Sequence, residues 1–253
     1  MLRTERHARI LEQVSAKNSV DVNELARLLD VSGATIRRDL RDLSRRNLLR
    51  RTHGGAAVGS IGLEAPLQHR TERCRPEKQA IARAAAALVP EGAVVGMTGG
   101  STVTEVARLL ADRGTVTIVT NAVNIAAELV LHKDVTLVVI GGHARATSYE
   151  LVGPIAEKTL ADHHIDITFL GVDGISADHG CTTHDQLEAA TDRAFADASS
   201  RTVVVADHSK IGRSTFAKIC PLSRVHHLIT DASAPEVELA RIRTSGVPVI
   251  TAE

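Results

Sequence analysis

From Pro76 onward the sequence alternates between short apolar runs and amphipathic stretches, and this alternation constrains the fold more than any other feature. Apolar runs at 93–97, 116–119, 135–140, 165–170, 202–206, 227–230 and 247–250 read as strands. Helical periodicity fills most of the gaps, at 77–88, 102–112, 122–131, 155–162, 186–198 and 235–244. Strands that alternate with helices in this way predict a mostly parallel sheet with helices on both faces. Ligands in such sheets bind outside the carboxyl ends of the strands. Residues 76–253 are therefore expected to form one α/β domain with its site at those ends.

The first sixty residues follow another pattern. They hold twelve Lys and Arg against seven Asp and Glu, a balance of +5, and the rest of the chain holds eighteen against twenty-three, or −5. The overall charge of zero hides a basic head on an acidic body, which points to two domains with different partners. Three helices are expected in the head. Residues 3–16 carry Ile10, Leu11 and Val14 on one face. Asp21 can cap a second helix, with Glu24 three residues on and Leu25, Leu28 and Leu29 as its inner stripe. Ser32 can cap a third that runs to about Arg46. With ~100° per residue, Leu40 and Leu43 fall within about 40° of Ile36. Asn47 also falls on that side. Arg37, Arg38, Arg41 and Arg45 collect on the opposite face, roughly 100–200° away. Exposed helices commonly pair charges at i,i+4; this face lacks acids, which favours a DNA-facing helix over a merely solvated one. A short strand at 48–51 and the turn His53-Gly54-Gly55-Ala56 complete the outline of a winged helix-turn-helix.

Ser32–Leu49, with the core Thr35-Ile36-Arg37-Arg38-Asp39-Leu40, followed by Arg51-Thr52-His53-Gly54-Gly55-Ala56, resembles the DNA-binding signature of DeoR-family bacterial transcriptional regulators. The resemblance implies double-stranded operator DNA as partner. Ser32, Thr35 and Arg38 would meet bases or the nearest phosphate; Arg37, Arg41, Arg45, Arg51 and His53 would mainly grip phosphate. The chain has Gly33 where family members often carry an acidic or other polar residue. It has Asn47 where they usually have Gly.

Five strand ends of the body carry small, polar or charged residues: Thr98-Gly99-Gly100-Ser101-Thr102, Thr120-Asn121, Gly141-Gly142, Gly171-Val172-Asp173-Gly174 and Asp207-His208-Ser209-Lys210. Caps and tight turns explain each one singly, but the set points to a shared pocket for an anionic ligand, because the helix after Gly100 offers free N–H groups. Neither a P-loop nor a dinucleotide fingerprint is present. The set is also similar to the DeoR-family effector domain, whose fold is ribose-5-phosphate isomerase-like. By that likeness a phosphorylated sugar is the effector. Thr98, Gly99, Gly100, Ser101 and Thr102 would hold its phosphate, Thr120, Asn121 and Gly142 would line the pocket, Asp173 would meet hydroxyls and Lys210 would add a cation. Many members have Asp where this chain has Thr98. The segment Gly180-Cys181-Thr182-Thr183, with Glu188 and Arg193, looks like the family's stretch after that Asp173 position.

The expected organisation is a winged helix-turn-helix head at 1–57, a linker at 58–75, and an effector and oligomerisation domain at 76–253. The expected function is a DNA-binding transcriptional regulator, a repressor of a carbohydrate operon that acts as a homodimer or homotetramer. An isomerase would use Asp173 and Lys210 for proton transfer and enediolate stabilisation; a sensor needs the same residues to bind hydroxyls and phosphate. The sensor reading is preferred, with no catalytic residues and no cofactor. A sugar-phosphate isomerase with a fused nucleic-acid-binding head stands as the alternative, and a winged-helix interaction module without a ligand as a third. Cys74, Cys181 and Cys220 lie far apart without CxxC spacing, and His179 and His184 match no common zinc spacing, so neither a metal site nor a disulfide framework is expected. No apolar run approaches a membrane span and the N-terminus is charged from residue 3, so a reduced, cytoplasmic protein is expected.

Overall fold

The computed structural model describes residues 3–17, 19–45, 49–52, 54–57 and 66–253. The chain divides into two compact units, Met1–His69 and Arg70–Glu253. His53, Asn47 and the first half of the expected linker lie outside the described residues.

The first unit contains α1 (Arg3–Lys17), β1 (Ser19–Asp21), α2 (Val22–Leu28), α3 (Gly33–Arg45), β2 (Arg50–Arg51) and β3 (Gly55–Ala57). Asp21 caps α2 by accepting from the Asn23 N–H at 2.7 Å. Ser32 Oγ accepts from the Thr35 N–H at 3.2 Å at the start of α3. Ile36, Leu40 and Leu43 of α3 pack with Ile10 and Val14 of α1 and with Leu25 and Leu29 in a single core. The three strands form an antiparallel sheet in the order β1-β3-β2, with Val20 opposite Ala56 and Arg51 opposite Ala56 on the other side. The wing is thus a three-stranded sheet rather than a hairpin, because the segment between α1 and α2 supplies β1.

The second unit opens with α4 (Leu67–Thr71), which begins just ahead of it, and α5 (Arg75–Ala86). These elements correct the expectation that residues up to 75 are irregular. Pro76 lies in the first turn of α5, where its missing N–H costs nothing and its fixed φ suits the helix. There follow β4 (Val94–Met97), α6 (Ser101–Ala111), β5 (Val116–Thr120), α7 (Val123–Leu129), β6 (Val135–Val139), β7 (His143–Ala144), β8 (Leu151–Val152), α8 (Pro154–Ala161) and β9 (Ile165–Leu170). The rest comprises β10 (Gly174–Ser176), β11 (Gly180–Thr183), α9 (Gln186–Asp197), β12 (Ser199–Val205), β13 (Ala217–Cys220), β14 (His227–Asp231), α10 (Glu236–Thr244) and β15 (Val249–Ala252).

Seven strands make a fully parallel sheet in the order β15-β14-β12-β9-β4-β5-β6. Alternate side chains serve opposite faces. Val203, Val205 and Ile229 join the core beneath α5 and α6, whereas Val204 and Leu228 join Leu239 and Ile242 of α10. Helices therefore cover both faces, which is why the strands read as near-continuous apolar runs. β12 begins at Ser199 rather than at the expected 202, because Ser199 and Arg201 pair with Ile165 and Ile167 of β9. Two small antiparallel additions, β7-β8 and β10-β11-β13, had no periodicity long enough to announce them.

The strand order reverses between β4 and β9. From β4 the chain adds β5 and β6 on one side; from β9 it adds β12, β14 and β15 on the other. Two connections that leave in opposite directions open a crevice at the carboxyl ends of β4 and β9.

Candidate functional site

In the first unit, Arg37, Arg38 and Arg41 are exposed on α3, away from its buried stripe. Arg45 ends the helix, and its side chain lies outside the described residues. Ser32 is exposed and Thr35 half-buried, their hydroxyls 2.9 Å apart. Arg51 is exposed on β2. The two acids of this stretch do not compete with these arginines. Asp39 is buried, accepting from Arg6 Nε at 2.6 Å and lying 3.0 Å from His7 Nε2, and Asp42 pairs with Arg3. Burial would raise the Asp39 carboxyl, but its bonds to Arg6 and His7 hold it below the usual carboxylate range. The acids of α3 thus fasten it to α1, and the opposite face keeps its positive charge.

In the second unit, the five polar strand ends belong to five neighbouring strands, β12, β9, β4, β5 and β6. Thr98 and Gly99 leave β4 at the reversal point. Thr98 Oγ1 accepts from the Gly171 N–H beyond β9 at 3.0 Å, so the two loops are tied together. Gly100 precedes α6 with φ +112° and ψ 150°, a conformation open in practice only to glycine. A methyl on Gly99 would lie 2.2 Å from Glu150 Oε1. Ser101 and Thr102 are buried in the first turn of α6.

Asp173 and Lys210, from the ends of β9 and β12, meet: Lys210 Nζ lies 3.1 Å from Asp173 Oδ1. Arg70 Nη1 reaches the same oxygen at 3.1 Å, and the Thr183 hydroxyl donates to Oδ2 at 3.1 Å. Burial pushes the Asp173 carboxyl up, but Lys210, Arg70 and His184 beside it outweigh this and hold it well below its ordinary value. Asp173 is accordingly ionised, which suits a hydroxyl acceptor. Burial lowers His184, whose Nε2 is 3.9 Å from Asp173 Oδ2.

Other expected lining residues are engaged in the fold itself. Thr120 donates to the Met97 carbonyl at 2.7 Å and accepts from the Ala122 N–H, so its hydroxyl fixes β5 to β4. Gly142 lies so close to β8 that a methyl would come within 2.8 Å of the Val152 carbonyl. Asn121 donates to Glu150 Oε2 and to the Leu151 carbonyl, both at 3.1 Å. Its Oδ1 is buried with no hydrogen-bond partner among the described residues, a condition that costs about 1–3 kcal/mol unless something donates to it. Sequence reasoning did not find Arg70, which sat in an expected linker, or Glu150 and Arg145, which lie between short strands. Arg145 is held by Glu188 and Ser148. Arg193 donates to the Ile219 and Lys218 carbonyls and thereby secures β13.

Profiles of two protein families match the chain. The DeoR-like helix-turn-helix domain covers residues 6–61, and the DeoR C terminal sensor domain covers residues 73–232. The chain belongs to the DeoR family. It is a transcriptional regulator with a DNA-binding head and a sensor body, not an enzyme. Curated DeoR-like relatives extend over nearly all of it. It is 34% identical over 250 residues to the putative aga operon transcriptional repressor of Escherichia coli O157:H7, spanning 98% of this chain and 93% of that one. It is 34% identical to the glycerol-3-phosphate regulon repressor of Escherichia coli K12, over 93% of each chain. It is 37% identical to the HTH-type transcriptional regulator GlpR of Haloferax volcanii, over 99% of this chain and 98% of that one. Among solved structures, ribose 5-phosphate isomerase A from Methanocaldococcus jannaschii aligns with a TM-score of 0.41 at 21% identity, over 54% of each chain. Among the described residues of this DeoR-family chain, no helix is long and apolar enough to cross a membrane.

Proposed function

We propose that this regulator represses a carbohydrate-utilisation operon from the cytoplasm and that a phosphorylated sugar bound at the strand ends of its body releases it from operator DNA. The observation that carries the sensor half is the convergence at the reversal point. There a glycine-opened helix N-terminus (Gly99–Thr102) and the ionised Asp173 beside Lys210 come from the two strands flanking the crevice and from β12 next to them. The first suits a phosphate and the second suits hydroxyls and an anionic edge. Asn121 Oδ1 is a further acceptor for a donor group. The names of the relatives, repressors of a glycerol-3-phosphate regulon and of an aga operon, agree with a phosphorylated effector.

On DNA, Ser32, Thr35 and Arg38 near the start of α3 read bases, and Arg37, Arg41, Arg45, Arg51 and His53 grip phosphate. Phosphate contacts set affinity and salt dependence; base contacts set sequence choice. One such head offers little contact area, so two or four copies act together on repeated half-sites. The proposed domains are 1–57, 58–75 and 76–253. The effector shifts a two-state equilibrium of the body, and linkage requires operator DNA to weaken effector binding by the same factor. A thermal-shift screen of phosphorylated trioses, pentoses and hexoses against the full chain tests the effector class, because a ligand of the folded state raises apparent stability. The reading requires at least one hit that also weakens operator binding; a screen without stabilisation leaves only a DNA-binding module.

A further inference from the structure

Beside Lys210, at the carboxyl end of β12, three residues of different chemistry meet. Cys74 immediately precedes α5, and Asp207 and His208 follow β12. A thiol sulfur, a carboxylate oxygen and an imidazole nitrogen from these residues all lie within 4.8 Å of one another. We propose that Cys74, Asp207 and His208 bind a divalent cation of the zinc type, with one coordination position left for water or an anion.

The surrounding bonds favour this assignment. Asp231 at the end of β14 grips His208 twice, accepting from its backbone N–H at 2.7 Å and lying 2.9 Å from Nδ1. A carboxylate on Nδ1 fixes the tautomer and leaves the Nε2 lone pair for a metal, the common outer-sphere arrangement of metal-bound histidines. Asp207 is buried, and its Oδ1 accepts from the Ser209 N–H at 3.0 Å, which fixes the carboxylate in place. Its Oδ2 is 3.9 Å from Lys78 Nζ, but that ammonium already donates to the Arg70 and Arg73 carbonyls. Once Cys74 gives up its proton, Cys74, Asp207 and Asp231 bring three negative charges to a divalent ion, with Glu77 as a fourth acid nearby and Lys78, Lys210 and Arg73 as the neighbouring cations. Sulfur, nitrogen and oxygen donors together select a borderline ion over calcium or magnesium. Tetrahedral zinc holds such donors roughly 3.3–3.7 Å apart, so closing the site takes a side-chain adjustment of about 1 Å or less. Binding converts the thiol to a bound thiolate and releases one proton to solvent. The ion would fasten the turn between α4 and α5, which carries Arg73 and Cys74, to the end of β12 and, through the Asp231–His208 bonds, to that of β14. The proposal stands whether or not a sugar phosphate is the effector.

The test uses full-length protein stripped with a chelator and titrated with Co²⁺. The expected result is one ion per chain, a thiolate-to-cobalt charge-transfer absorption together with the intense visible bands of a four-coordinate site, and displacement by Zn²⁺. Cys74→Ser should abolish the charge-transfer band, and Asp231→Asn should weaken affinity ~10–100-fold. Because Cys181 and Cys220 are buried, alkylation of the native wild-type chain reports Cys74, and saturating zinc should slow it at least tenfold. That arm decides the matter if a variant fails to fold. A cobalt spectrum without a thiolate band, a band that survives Cys74→Ser, or alkylation of Cys74 at the same rate with and without zinc would each overturn the assignment.

Discussion

Asp39 lies inside the Thr35-Ile36-Arg37-Arg38-Asp39-Leu40 stretch that carries the DNA-binding signature, so its replacement separates a DNA contact from an internal tie. The structure makes it internal: Asp39 is 2% exposed and is held by Arg6 at 2.6 Å and His7 at 3.0 Å. Removing Asp39 leaves Arg6, which is partly exposed, and His7 without their shared acceptor and costs about 1–3 kcal/mol. A head of this size carries roughly 3–8 kcal/mol in all. Asp39→Ala should therefore unfold a measurable fraction of the head and leave the body intact. Hydrogen exchange on the full chain reads this directly. Amides of α1, α2 and α3 should lose protection by a factor on the order of 10–10², whereas those of β4, β9 and β12 should not change. The sign with pH is fixed by the depressed carboxyl. The stabilisation is complete above the unfolded-state value of about 3.9 and is lost as pH falls through the lower folded-state value, so wild type and Asp39→Ala should converge in strong acid. Replacing both partners, as in Arg6→Met with Asp39→Leu, should cost less than Asp39→Ala alone. The reasoning fails if Asp39→Ala weakens operator binding while head protection stays at the wild-type level, because Asp39 would then act on DNA.

Four further outcomes follow from the same geometry. Arg41→Ala should weaken specific and nonspecific DNA alike and lower the salt slope by about one; an altered base preference in a binding-site selection would show that Arg41 reads sequence. Arg38→Ala should relax sequence choice at a cost of ~1–3 kcal/mol, and unchanged preference at every position would remove it from base readout. Gly100→Ala should cost about 1–3 kcal/mol of stability for its backbone conformation and abolish the ligand-induced thermal shift; a wild-type shift would place the phosphate elsewhere. Asp192 is buried, with Glu150, Glu188 and Asp173 nearby, and both burial and these charges push its carboxyl well up. Folding then takes up a proton, so stability falls as pH rises above the unfolded-state value, by about 1.4 kcal/mol per pH unit until the folded-state value is passed. Asp192→Asn should raise the melting temperature at neutral pH and flatten this dependence, and a lower melting temperature would mean that the carboxylate is ionised in place.

The layers were legible because both periodicities are long and uninterrupted. Ile36, Leu40 and Leu43 mark one face of α3, and runs such as Ile165–Leu170 leave no room for a helix. The strand-end residues were legible one by one from the rule that open α/β sheets bind at their carboxyl ends. What joins them was not. The strand order that places Thr98 beside Gly171 depends on crossovers through space, and no local pattern records it. Arg70 escaped notice because five helical residues are too few to show a period. Thr120 and Gly142 look like ligand contacts in sequence; in the structure the Thr120 hydroxyl also ties β5 to β4 and Gly142 also lies close against β8, since a polar or small residue at a strand end serves either use. Cys74 gave no spacing signal: its two companions lie more than a hundred residues downstream, and only folding brings them together.

The reversal of strand order between β4 and β9 has a consequence for how such regulators diversify. Every group proposed to meet the effector stands on a loop or a first helical turn beyond the carboxyl ends of the strands, whereas the packing that stabilises the body lies in the layers below. If the effector binds there, substitutions at these positions would exchange one ligand for another at little cost to the core, and the head need not change with them. Recognition of the metabolite and recognition of the gene are thus free to evolve at different rates within one chain.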